Sequence, residues 1–363
     1  MPLPHARSTR RGTPAVGPEE RRRRARGALL GLAVGDAFGT TMEFKVLGSP
    51  PFPELCTGPH TEMTGKGPFD VKPGQVTDDT QMAVALATSL RGIKRFDAED
   101  VNARYRAWLP HAFDVGNQTR AALAGWVPGG GPFHAAKVHW LQNGRKPAGN
   151  GSLMRTAPIG VFLWNDGEAR LRASLEDSAI THPDPRCQLA CAVFNAAIAQ
   201  AIAWPEPEVD AKKLVAGLTA ELNLAAARLG RELKEHVREV QDAVAALRED
   251  LELAQRPDPQ LYGPELHLHQ HQGYVRVAFR FAFWELLHAP SLQAGLTDVV
   301  NRGGDADTNG AIAGALLGAV HGEGAIPQAW RQAVLECVPR QPALREAYHP
   351  VQFLPLADRA TEQ

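Results

Sequence analysis

Alanine- and leucine-rich stretches with helical spacing dominate the chain, over residues 27–39, 80–91, 98–109, 117–126, 171–180, 186–203, 274–288 and 308–320. Alternating β-branched runs are scarce, so the pattern predicts an all-α fold. From Pro205 to Tyr262, Leu and Ala recur at helical spacing among Lys, Glu and Arg, which predicts two further amphipathic helices and no chemistry. Residues 1–26 mix Pro, Gly, Ser and Arg without apolar periodicity and read as a disordered tail that joins the first helix near Arg22. The expected organisation is therefore a basic tail (1–26) and a single all-α domain (27–356) with a helical insertion around 205–262.

Two of these helices carry an unusual pattern. Glycine recurs every fourth residue at Gly27, Gly31, Gly35 and Gly39, and again at Gly310, Gly314, Gly318 and Gly322. A glycine inside a helix costs about 1 kcal/mol relative to alanine, so two such series need compensation. The spacing lays each series along a slowly drifting stripe of one face, where bare backbone admits unusually close packing. Packing of this kind sets loops from opposite ends of the chain beside each other.

Two Asp-rich loops precede helices. Val76-Thr77-Asp78-Asp79-Thr80 follows a Pro73-Gly74 turn, and Gly303-Gly304-Asp305-Ala306-Asp307-Thr308-Asn309 opens the second glycine-striped helix. Each reads as a helix N-cap, since Thr and Asp satisfy free backbone donors and Asp complements the positive helix end. One helix needs one cap, however, and carboxylates from both loops would repel strongly without a cation between them. The ligands on offer are oxygens with no interleaved Cys or His, which favours Mg²⁺, Mn²⁺ or Ca²⁺ over zinc, and two loops suit a two-metal site. A third segment, Gly149-Asn150-Gly151-Ser152-Leu153-Met154-Arg155, reads either as a simple turn or as a phosphate cradle, with backbone amides and the Asn, Ser and Arg side chains as donors. It matches neither the Walker pattern nor GxGxxG. Thr181-His182-Pro183-Asp184-Pro185 interrupts two helical stretches, and its His is either a turn residue or a nucleotide contact.

Composition narrows the function classes. Lys+Arg 39 nearly balance Asp+Glu 40, but eight Arg fall within the first 26 residues and leave the body mildly acidic, so direct nucleic-acid binding is not expected. Four cysteines (Cys56, Cys187, Cys191, Cys337) form no CxxC pair, which fits a reducing compartment and a cytoplasmic location. Apolar runs such as Gly310 to Val320 fall short of a membrane span, and no signal-peptide apolar region follows the Arg-rich start, so neither membrane insertion nor secretion is expected. His267, His269 and His271 alternate in HLHQH and read as a solvated loop rather than a transition-metal site. Cys187 and Cys191, one helical turn apart, read as buried thiols.

Six segments, in this order, resemble the motifs of ADP-ribosylglycohydrolases, in particular the bacterial type that acts on dinitrogen reductase. They are GALLGLAVGDAFGTTMEF at 27–44, TDDTQMA at 77–83, DVGNQTR at 114–120, GNGSLMRTAPIG at 149–160, THPDP at 181–185 and NRGGDADTNGAIAGALLGA at 301–319. The resemblance runs from about 27 to about 322 and departs in the tail and around 205–262. It implies a compact orthogonal helical bundle with two Mg²⁺ (or Mn²⁺) at the mouth of an ADP-ribose cleft. By motif, Thr77, Asp78, Asp79, Asp305, Asp307 and Thr308 look like metal ligands, and Glu43 looks like a residue beside the metals that moves with substrate. Asp114 and Asn117 resemble residues near the scissile ribose, while Gly149, Asn150, Gly151, Ser152, Leu153, Met154 and His182 look like diphosphate and adenosine contacts.

The implied activity is hydrolysis of the bond between ADP-ribose and a side chain of a modified protein, arginine foremost, releasing ADP-ribose. Cleavage at ribose C1 develops positive charge on the sugar, which nearby carboxylates stabilise. A guanidine leaving group must depart protonated, and Asp114 and Glu43 are the proton-relay candidates, unranked by the sequence. The alternatives are a catalytically inactive ADP-ribose-binding or scaffold member of the family and a dinuclear-metal nucleotide phosphohydrolase. Retention of oxygen ligands at all six metal positions argues against an inactive member.

Overall fold

The structure, a computed structural model, describes residues 16–339 and 341–360. Its first helix, α1 (Pro18–Gly39), starts well before the tail boundary expected at residue 26. Proline in the first turn and Glu19 and Glu20 suit the free amides there. Arg24 is fully buried and donates to the carbonyls of Ala201, Trp204, Glu206 and Pro207. Arg26 makes a two-pronged pair with Asp358. These arginines anchor the helix through backbone carbonyls and a carboxylate rather than through an apolar stripe, which is why periodicity did not mark them. The remainder of the expected tail, residues 1–15, lies outside the described residues.

The chain continues through α2 (Asp78–Ile93), α3 (Ala98–Trp108), α4 (Asn117–Ala124), α5 (His134–Gln142), α6 (Ala157–Phe162), α7 (Gly167–Thr181) and α8 (Pro185–Ala203). There follow α9 (Ala211–Glu232), α10 (Val237–Ala254), α11 (Val275–His288), α12 (Leu292–Asn301), α13 (Ala306–His321), α14 (Gln328–Glu336), α15 (Pro342–Glu346) and α16 (Phe353–Ala360). Among the described residues there are isolated bridges but no strand. α9 and α10 are the two amphipathic helices expected in 205–262, and Leu214, Leu218, Leu222 and Leu247 bury their side chains in the same apolar core as α1, α8 and α13. α8 is long and apolar enough to cross a membrane by length and composition, yet 83% of that window is buried inside the molecule, as befits a core helix.

The glycine stripes meet. α1 and α13 run antiparallel, Gly27 facing Gly318, Gly31 facing Gly314 and Gly35 facing Gly310, with Gly39 against Ala306. A Cβ on Gly310 would stand 2.5 Å from the carbonyl oxygen of Gly35, so only glycine permits the approach. The antiparallel pairing puts the C-terminal end of α1 beside the N-terminal end of α13. That juxtaposition builds the site.

Candidate active site

Asp36, one residue after Gly35, is fully buried where α1, α2 and α13 converge. It accepts hydrogen bonds from the Thr77 amide (3.0 Å), the Thr77 hydroxyl (2.9 Å), the Thr80 amide (3.1 Å) and the Thr80 hydroxyl (2.5 Å). A carboxylate from α1 thus satisfies the first turn of α2, and Thr77, at the N-cap position, makes no capping bond of its own. Asp305 at the start of α13 likewise caps nothing; its carboxylate accepts from the Asn150 side-chain amide at 2.7 Å. The Asp-rich loops are therefore not accounted for by capping.

Their carboxylates gather into two overlapping groups. Oxygens of Asp36, Asp79 and Asp307 lie within 4.8 Å of one another, and so do those of Glu43, Asp114 and Asp307. Asp307 belongs to both. Two buried oxygens, Asp79 Oδ1 and Glu43 Oε2, have no hydrogen-bond partner among the described residues. Burial, reinforced by neighbouring negative charge, pushes Asp114 up to about 7 and Glu43 up to about 9. The same causes hold Asp78, Asp79 and Asp307 well above the usual carboxylate range. Asp36 also rises, to about 6, because burial outweighs its four donors. An all-oxygen donor set, a shared carboxylate and unpaired buried oxygens fit two hard divalent cations.

Above this floor opens a cavity of about 360 Å³, within the size range of small-ligand sites. Glu43, Asp78, Asp114, Asp305, Asp307 and Thr308 line its acidic side; Asn117, Gly149, Asn150, Gly151, Met154 and His182 line the remainder. Thr77 and Asp79 lie beneath the floor, fully buried. The Gly149–Gly151 loop is held by bonds between the Asn150 amide and the Gly273 carbonyl (2.9 Å) and between the Val275 amide and the Ala148 carbonyl (3.0 Å). The His182 ring presses on it so closely that a Cβ on Gly151 would meet Cε1 at 2.9 Å. Burial keeps His182 neutral, and its Nδ1 lies 2.7 Å from the Thr181 hydroxyl.

Three side chains expected at a phosphate do not line the cavity. Ser152 and Leu153 are fully buried, and the Ser152 hydroxyl pairs with that of Ser178 at 2.9 Å. Arg155 also points inward. Its guanidinium donates to the Gly151 carbonyl (3.2 Å), the Thr181 hydroxyl (2.8 Å) and the Asp177 carbonyl (2.9 Å), and lies over the Tyr105 ring. A buried arginine needs acceptors on all sides, and the loop and α7 supply them. Arg155 supports the cradle from behind rather than contacting what the cradle holds.

The comparisons with known proteins converge on one description. A family model described as ADP-ribosylglycohydrolase matches residues 17–362. The chain belongs to the ADP-ribosylglycohydrolase family. It is 31% identical over 327 residues to an ADP-ribosylarginine hydrolase of Pseudomonas putida, covering 87% of this chain and 76% of the relative. It is 29% identical over 317 residues to the ADP-ribosyl-[dinitrogen reductase] glycohydrolase of Rhodospirillum rubrum, covering 85% and 88%. A solved ADP-ribosylglycohydrolase-related protein superimposes with a TM-score of 0.66 at 29% identity, over 95% of this chain and 99% of that one. The all-α fold is thus that of the family, and the chain is a glycohydrolase.

In this glycohydrolase several site residues escaped the sequence reading. Asp36 was the least conspicuous, although a lone carboxylate within a glycine-striped apolar helix was its signal. Gln118 and Thr119 line the cavity beside Asn117, and the Gly149 amide donates to Gln118 Oε1 at 3.1 Å. Phe44 and Gln272 also line it, without a local pattern that announces them. The HLHQH histidines are half-buried and knit together rather than solvated. His267 Nδ1 accepts from the His269 amide (3.2 Å), His271 Nδ1 accepts from the His267 amide (3.1 Å), and His269 Nε2 lies 2.8 Å from the Arg302 carbonyl. Through His269 the loop reaches the carbonyl just before the Gly303-Gly304 turn, whose residues take φ of 73° and 70° as glycine allows.

Proposed function

We propose that this enzyme is a metal-dependent hydrolase of ADP-ribosylarginine in proteins, releasing free ADP-ribose. The observation that carries the reading is the pair of carboxylate groups sharing Asp307, with unpaired buried oxygens on Asp79 and Glu43. Thr77, Asp78, Asp79, Asp305, Asp307 and Thr308 would hold two Mg²⁺ or Mn²⁺ ions with Glu43 beside them, while Asp36 fixes Thr77 behind them. Bound there, such ions supply Lewis acidity and offset the carboxylate charge. The likeness to an ADP-ribosylarginine hydrolase supports arginine as acceptor, and the likeness to an ADP-ribosyl-[dinitrogen reductase] glycohydrolase supports a modified protein as substrate. The free cysteines support action in the cytoplasm.

The chain's own groups have separate tasks. The glycine loop and the neutral His182 ring offer amides and a flat face to the diphosphate and adenosine, leaving ribose C1 toward Glu43 and Asp114. Hydrolysis places the hydroxyl of water on C1 and a proton on the departing guanidine nitrogen, so one group beside the bond takes a proton and one gives it up. Glu43 Oε2, unpaired, and the half-buried Asp114 carboxyl are placed for that exchange. Remaining carboxylate charge favours the cationic sugar of the transition state.

Release of ADP-ribose should be followed from arginine-linked and serine-linked peptides after chelation, with and without added Mg²⁺ or Mn²⁺. Cation-dependent release from the arginine-linked peptide is expected. Undiminished release after exhaustive chelation, or release only from serine, would overturn the reading. Appearance of phosphate or AMP in place of ADP-ribose would identify a phosphohydrolase.

A further inference from the structure

Phe44 follows Glu43 directly and lines the cavity, yet it is 54% exposed. Its φ is 62°, a left-handed conformation that costs a bulky residue free energy and persists where surroundings enforce it. The enforcement is visible. The Phe44 amide donates to the Gly304 carbonyl at 2.7 Å, the Gly304 amide donates to the Lys45 carbonyl at 2.8 Å, and Val46 bridges to Gly303. The turn that carries Asp305 therefore clamps Phe44 at the rim. No ring or cation within the described residues stacks on it.

The cavity is lined by two rings among the described residues, His182 at the Gly149–Gly151 loop and Phe44 next to Glu43. If C1 of the ribose faces Glu43 and Asp114, the acceptor side chain leaves past the rim beside Glu43, where Phe44 stands. That rim presents a bare aromatic face beside several carboxylates. A planar, delocalised cation on a flexible stem is the group that both features suit.

We propose that Phe44 is the platform on which the guanidinium of the modified arginine stacks, making it a specificity-determining residue for arginine-linked over serine-linked substrate. This rests on the arginine hydrolase reading given above. A serine-linked ADP-ribose has no planar cation to offer and gains nothing from the ring. The ring acts on binding of the acceptor side, so KM should respond more than kcat.

The test compares wild type, Phe44→Ala, Phe44→Leu and Phe44→Trp in steady-state release of ADP-ribose from arginine-linked and serine-linked peptides, alongside calorimetric titration with ADP-ribose. Phe44→Ala and Phe44→Leu should raise KM for the arginine-linked peptide by about 3- to 30-fold, the range of a cation stacked on a ring. Phe44→Trp should recover that loss, and affinity for ADP-ribose itself should be the same in all four proteins. Phe44→Leu matching wild type would show that bulk suffices and overturn the proposal. Weakened ADP-ribose binding in Phe44→Ala would place the ring against adenosine and overturn it too, as would equal losses on both peptides. Wild type without arginine activity would overturn the arginine reading itself, a failure visible before any substitution is made.

Discussion

Replacing Gly310 with alanine adds one methyl group to a helix and, by propensity alone, should stabilise it by about 1 kcal/mol. The α1–α13 contact reverses the sign. The new Cβ would stand 2.5 Å from the Gly35 carbonyl oxygen and 3.0 Å from its carbonyl carbon, where ordinary contact begins at 3.4 Å, so about 0.9 Å of retreat is needed. Both obstructing atoms are backbone, and no rotamer change can make room. Overpacking that side chains can relieve costs about 1–3 kcal/mol; here at least ~3 kcal/mol is expected, for a net loss of about 2 kcal/mol or more. With an unfolding entropy of about 2.1 cal/mol/K per residue, that lowers Tm by roughly 3 °C or more. Parting the helices also separates Asp36 from Asp307, so the rise in Tm on adding Mg²⁺ should shrink and turnover should fall. Gly92→Ala is the control, since a Cβ there meets nothing within 4 Å and Tm should rise by about 1 °C. Differential scanning calorimetry with EDTA and with Mg²⁺ reads both quantities. A Gly310→Ala protein as stable as wild type, with an undiminished Mg²⁺ effect, would refute the close-packing account.

Asp307→Asn should lower hydrolysis by more than about 100-fold, the upper range for residues that merely support a metal ligand. By removing a shared charge it should raise Tm in EDTA while abolishing the shift with Mg²⁺, and an unaltered shift would exclude Asp307 from the cation site. Asn150→Ala should weaken ADP-ribose binding in calorimetry, whereas Asp114→Asn should lower kcat and leave that affinity near normal; the reverse pattern would exchange their assignments. Asp36, Asp114 and Glu43 rise to about 6, about 7 and about 9 from reference values of 3.8 and 4.5, so the native state keeps protons that the unfolded chain has released. Stability of the metal-free protein should therefore fall as pH rises from about 4 to about 9, and Mg²⁺ should restore more of it at higher pH; a gap between the EDTA and Mg²⁺ melting curves that does not widen with pH would contradict this.

Spacing made the acidic loops of the candidate site legible, whereas Glu43, Asp114 and Asn117 were reached through the resemblance of their motifs. Two glycine series at intervals of four residues demanded a close helix pair, and the Asp loops at 77–79 and 305–307 demanded something beyond capping. Residues whose roles depend on what faces them were not legible. Arg155 sits in a segment rich in anion-binding residue types, yet Asp177, Thr181 and Tyr105 draw it into the interior. Ser152 follows it inward, to Ser178. The arginines of α1 look like a charged tail until the carbonyls at the end of α8 are seen to receive Arg24.

Asp36 shows how scaffold and chemistry are connected. Its four donors come from Thr77 and Thr80 at the start of α2, more than forty positions further along, while the close approach of α1 to α13 sets the same carboxylate near Asp307. A cluster of mutually repelling buried carboxylates tends to push its elements apart. Ordinary side-chain packing between α1 and α13 would leave room for that, whereas backbone seated on backbone along four successive turns leaves no softer arrangement nearby. The glycines that weaken each helix singly therefore hold the acidic loops at a fixed spacing. Loss of one stripe should be felt at the acidic loops before it is felt in the helices.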